Sequence, residues 1–100
     1  MQIQNTDAQT SVVTGITELV GANATQVRDE IRAALSPGCV CLDMDLSGVT
    51  FLDSSGLGAL ISLNKTLRLR RGVLRILKPA PNVRQLLELT RLDHIFEIIN

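Results

Sequence analysis

Apolar residues change their spacing several times along the chain, and each change marks an element. From Thr10 to Leu19, Val12, Val13, Ile16 and Leu19 stand among threonines and a serine, the β-branched mixture that suits a pleated strand. Gly21 interrupts it. Asn23 is placed to cap a helix in which Ala24, Val27, Ile31, Ala34 and Leu35 recur at helical spacing, with Arg28, Asp29 and Arg32 on the opposite side. Ser36, Pro37 and Gly38 end that helix. Cys39 to Leu46 then reads as a short strand. Val40, Leu42, Met44 and Leu46 form one apolar face, and Asp43 and Asp45 make the other acidic toward its C-terminal end.

Gly48 to Asp53 is a connection that holds two further apolar residues, Phe51 and Leu52. From Ser55 onward Leu57, Leu60, Ile61, Asn64 and Leu67 share one helical side, widened by Leu63. Arg70 and Arg71 suit the negative end of that helix, before Gly72. Val73 to Leu77 is another strand. Pro79 and Pro81 bracket the next helix start, and Val83, Leu86, Leu87 and Leu89 supply its apolar face. Ile95, Phe96, Ile98 and Ile99 predict a last strand. The order β α β α β α β implies parallel neighbours joined by helical crossovers, and an N-terminal strand running the other way would make the sheet mixed. In such sheets functional residues gather where strand carboxyl ends meet helix starts, which points to the turn from Asp45 through Asp53 into Ser54.

Composition narrows the function classes. One hundred residues, 45% hydrophobic and 20% charged, predict a single domain over 1–100 with its core at about 10–99, because single cores run to roughly 100 to 150 residues. Ten basic side chains balance ten acidic ones, so no global field favours nucleic acid or an anionic membrane. Phe51 and Phe96 are the only aromatic residues, too few for base-stacking platforms. No apolar run approaches the roughly 20 residues of a membrane span. The polar start, Met1 to Thr10, lacks the features of a secretory signal, so a cytoplasmic address is expected. Cys39 and Cys41 are expected to be reduced, structural thiols that lie poorly for bridging. The sole histidine, His94, stands far from them among no other soft ligands, so no metal site and no cofactor are expected. His94 also has no motif tying it to a serine, and Gly56 with Gly58 lacks the rest of a phosphate-binding loop, so the chain is not expected to be an enzyme.

The stretch Asp45, Leu46, Ser47, Gly48, Val49, Thr50, Phe51, Leu52, Asp53, Ser54, Ser55, Gly56, Leu57, Gly58 carries chemistry beyond packing. Asp53 and the two serines open a helix, where free amides and the positive dipole end accept an anion. Asp53 or Ser54 would serve equally as a simple cap. Gly56 and Gly58 cost helix stability, up to about 1 kcal/mol each relative to alanine, so some close approach should offset them. Ser54, Gly58 and Ser62, with Ser55 and Ala59, would form a stripe of small side chains. That stripe either packs on the domain's own sheet or, if exposed, is a docking surface with a modifiable hydroxyl at one end.

This run resembles the signature of STAS domains, particularly bacterial anti-sigma factor antagonists, whose pattern is close to D-L-S-x-V-x-F-L-D-S-S-G-L-G. The order of elements from about Val12 to Ile98 extends the resemblance over most of the chain. It implies a mixed four-stranded β-sheet with helices packed around it. It also implies a serine after the motif aspartate, here Ser54, that an anti-sigma factor serine/threonine kinase phosphorylates. Ser55 is the second choice, since only the resemblance separates the two hydroxyls. In that family the unphosphorylated antagonist binds the kinase and frees the sigma factor, phosphorylation ends the binding, and a metal-dependent serine phosphatase reverses it. Asp53, Ser54, Ser55, Gly56, Gly58, Ala59 and Ser62 are the partner-binding residues on this reading.

The chain departs from the family at Thr17, Glu18, Leu19, Val20, where many antagonists end in an aspartate, so Val20 bears on contact with the kinase. A further asymmetry is that seven basic residues and no acidic one lie between Lys65 and Arg84, an edge able to steer an acidic partner. The competing function is a STAS scaffold or accessory subunit, stressosome-like or transporter-associated, that docks permanently and is never modified.

Overall fold

The computed structural model describes all 100 residues. Its elements are β1 (Gln2–Asn5), β2 (Thr10–Thr14), β3 (Glu18–Leu19), α1 (Ala24–Ala34), β4 (Cys41–Asp45), β5 (Phe51–Leu52), α2 (Ser54–Leu69), β6 (Val73–Leu77), α3 (Pro81–Leu89), a 3-10 turn (Leu92–His94) and β7 (Glu97–Ile99). Five strands form one sheet in the order β1-β2-β4-β6-β7, and β3 pairs separately with β5. Only β1 runs antiparallel to its neighbour; β2, β4, β6 and β7 are parallel. The sheet is therefore mixed, as expected, but has five strands instead of four.

The differences from the sequence reading have local causes. The strand expected over Thr10–Leu19 is cut at Gly15, whose φ of +81° is a left-handed conformation that breaks the pleat. Its second part becomes β3. The reversed strand is β1, a polar segment in which Ile3 alone packs against the core. Strand β4 begins at Cys41, not Cys39. As a result the two thiols part: Cys39 is fully buried in the core, whereas the Cys41 Sγ donates to Asp43 Oδ1 at 3.4 Å. Both are free thiols.

Alternation along the parallel strands sorts the two sheet faces. Leu42 and Met44 of β4 and Leu74 and Ile76 of β6 are completely buried, in one cluster with Ile31 of α1, Leu60, Leu63 and Leu67 of α2, and Val83 and Leu87 of α3. All three helices thus cover the same face. On the other face Val12, Cys41, Arg75 and Leu77 are only half-buried. Asp43 on that face is not part of a solvated acidic edge, because the Arg75 guanidinium clasps it with Nε and Nη2 at 2.6 and 2.7 Å.

Candidate functional site

The chain leaves β4 through a tight turn in which Asp45 Oδ1 accepts from the Ser47 amide at 2.9 Å. Bonds to Ser47 hold the Asp45 carboxyl below the usual carboxylate range. Fully buried Leu46 and Val49 then pin the loop to the core. Beyond it β5 lies parallel to β3, with Phe51 beside Glu18 and Leu52 beside Leu19. That pairing carries Asp53 to the first turn of α2.

Asp53 is the N-cap and joins two loops. Its Oδ1 accepts from the Gly56 amide at 3.0 Å, and its Oδ2 accepts from the Gly21 amide, also at 3.0 Å, across the β3–α1 connection. These amides favour the ionised form, so the carboxyl titrates below its usual range, the Gly56 amide being the larger cause. The adjacent Val20 amide donates to Asn23 Oδ1 at 2.8 Å, and Asn23 Nδ2 donates to the Glu18 carbonyl at 2.9 Å. Asn23 is at the N-cap of α1 as expected, but it braces the loop instead of capping the helix. Position 20 therefore sits directly beside the loop that Asp53 fastens.

Ser54 and Ser55 are both exposed. They face different surroundings: Ser55, Gly58 and Ala59 form one wall of a cleft of about 320 Å³, opposite Gly21, Thr25 and Arg28 near the start of α1, and Ser54 lies outside it. Gly58 is exposed and an added Cβ would touch nothing, so this glycine is not there for packing. Ala59 is a buried floor, and Ser62 is half-buried with its Oγ accepting from Arg32 Nη2 at 2.6 Å.

Gly56, expected among the partner-binding residues, lies beneath the surface. It is buried, and a Cβ there would lie 2.1 Å from the Leu19 carbonyl oxygen and 2.6 Å from Leu52 Cδ1. Its role is to let α2 close onto β3 and β5, so it shapes the surface from beneath. Elsewhere, the His94 side chain is 76% exposed and approaches only Asp93, at 4.0 Å. No three His, Cys, Asp or Glu side chains converge in a metal-binding arrangement, and no helix is long and apolar enough to cross a membrane.

The model of the STAS domain family matches residues 2–100. The chain belongs to the STAS domain family. Among curated STAS relatives, the anti-sigma-B factor antagonist of Listeria monocytogenes is 30% identical over 83 residues, which are 83% of this chain and 73% of that protein. The anti-sigma F factor antagonist of Lysinibacillus sphaericus is 29% identical over 92 residues, 91% of this chain and 79% of that one. Among solved STAS structures, the unphosphorylated form of the anti-sigma factor antagonist SpoIIAA superposes with a TM-score of 0.84 at 23% identity, covering 99% of this chain and 87% of the other. The phosphorylated form of Bacillus SpoIIAA gives 0.76 at 22% identity, covering 99% and 90%. At these identities the structural match shows the fold.

The sequence reading overlooked one prominent residue of this STAS domain. Phe51, three residues before Ser54, is 66% exposed. Its signal was the alternation within β5, where inward Leu52 requires its neighbour to point out.

Proposed function

We propose that this STAS domain is an anti-sigma factor antagonist that works by partner switching. In the unphosphorylated form it binds an anti-sigma factor serine kinase and frees the sigma factor. The kinase phosphorylates Ser54, and a metal-dependent serine phosphatase restores the hydroxyl. The observation that carries this reading is an exposed Ser54 at the first residue of α2, directly after a cap that Asp53 holds without it. The names of the curated relatives support the antagonist role.

The switch has a physical basis in the residues present. Phosphorylation adds about two negative charges and three acceptor oxygens next to the ionised Asp53. A partner surface shaped around a neutral hydroxyl then has to desolvate a dianion beside a carboxylate. Within the domain the dianion is tolerated, because the α2 terminus presents free amides and the positive dipole end. Binding is lost and the fold is kept.

Incubation with the cognate kinase and ATP, followed by intact mass and fragment analysis, tests this directly. One phosphate on Ser54, abolished in Ser54→Ala, is the expected result. A phosphate on Ser55 would keep the switch and move its site into the cleft. A chain that binds the kinase and never gains mass would favour the permanent scaffold.

A further inference from the structure

Phe51 is 66% exposed, whereas Phe96, the other aromatic residue, is 4% exposed. Nothing in the fold requires a ring there. Leu52 secures β5 to the core, and the Thr50 amide and Oγ1 both donate to the Thr17 carbonyl, at 2.9 and 3.3 Å. A threonine or valine would satisfy the strand without placing an aromatic face in water. Glu18, the neighbour of Phe51 across the strand pair, and Thr50, which precedes it in the chain, are both exposed and polar. A lone large apolar group within a polar frame is the arrangement of an interface anchor with its rim.

Geometry ties this anchor to the switch. Phe51 precedes Ser54 by three residues, so their Cα atoms are at most about 10 Å apart even on an extended chain. A stable complex covers about 800 Å² of each partner, a footprint roughly 30 Å across. A kinase footprint centred on the Ser54 hydroxyl is therefore wide enough to take in Phe51.

We infer that Phe51 is the principal apolar anchor of the kinase complex and inserts into an apolar pocket on the kinase beside the site that receives Ser54. This rests on the partner-switching reading and adds where the binding energy is concentrated. It also separates two tasks: the ring supplies affinity once the surfaces meet, and the residue-54 oxygen decides whether they can.

The test uses the full chain and its purified cognate anti-sigma factor kinase. Phe51→Ala should keep the melting temperature and weaken kinase binding at least about tenfold, a factor equivalent to roughly 1.4 kcal/mol. Phe51→Trp should bind and, as the chain has no other tryptophan, would carry the only 5-fluorotryptophan resonance when labelled. That resonance should shift when the kinase saturates the protein. Wild-type affinity in Phe51→Ala, or an unshifted resonance in the saturated complex, would overturn the anchor. A self-associated form that Phe51→Ala dissolves without any change in kinase affinity would overturn it in favour of a second copy of the chain. Ser54→Asp is read independently: if it binds like wild type the switch fails, whatever Phe51 does.

Discussion

At Gly56 an added Cβ would lie 2.1 Å from the Leu19 carbonyl oxygen, whereas at Gly58 it would meet nothing. The two helix-breaking residues, which look alike in the sequence, are thus there for opposite reasons. Gly56→Ala should cost about 1–3 kcal/mol in urea denaturation, since backbone has to move to admit the methyl group. Gly58→Ala should raise stability by up to about 1 kcal/mol through helix propensity and narrow the cleft beside Ser55, lowering kinase affinity. A stabilised variant with undiminished affinity would remove Gly58 from the docking surface. Asp53 and Asp45 give the domain a signature in acid. Backbone amides of Gly56 and Gly21 hold the first below its ordinary 3.8, and Ser47 holds the second below the same value. The unfolded chain therefore takes up these protons first. Their contribution is complete above the ordinary value and disappears as pH falls through the folded values. Melting temperature should decline on acidification below about pH 4, and less steeply in Asp53→Asn and Asp45→Asn.

At the scale of elements, helices and long strands were readable because their apolar periods run for several turns or residues. A cap of α2 at Asp53 or Ser54, which the structure resolves to Asp53, and Pro81 at the first turn of α3 were visible in the sequence. Strands of two to four residues were not. One inward residue, such as Ile3 in β1, has no period, and β3 and β5 exist only because each supplies the other's pairing. The pair between Asp43 on β4 and Arg75 on β6 was hidden for a related reason, since alternation gives a residue's face and not its cross-strand neighbour. Removing one member leaves the other exposed to the cost of an unpaired buried charge. Asp43 is 9% exposed and Arg75 35%, so solvent moderates that cost. Arg75→Ala should destabilise by about 1–3 kcal/mol, and the double replacement of both residues by leucine should recover much of the loss. Burial first, and then the Asp43 carboxylate, push the Cys41 thiol up. Wild-type Cys41 should consequently react more slowly with a thiol reagent at pH 8 than an unhindered cysteine does.

For the whole molecule, the site was legible as a segment and illegible as a surface. The run from Asp45 to Gly58 stood out by its residue types, but which of its members face a partner depends on the rotation of α2 and on the loop that Asp53 fastens through Gly21. Within the basic run from Lys65 to Arg84, Arg75 and Arg84 pair with Asp43 and Glu88, and Arg70 and Arg68 donate to backbone carbonyls while keeping their charge. With Arg75 and Arg84 paired and the net charge zero, the association rate with the kinase should change less than about threefold when salt rises tenfold. A steeper dependence would restore the steering edge.

The sheet face that no helix covers has a use of its own. There Asp43, Arg75 and Glu97 stand opposite one another on β4, β6 and β7, an acid–base–acid row laid across the strands. A slip of one position would set Asp43 against Leu74 or Ile76 and turn buried leucines out to water. The row therefore singles out the native register from its neighbours, with unlike charges meeting at each step across the three strands.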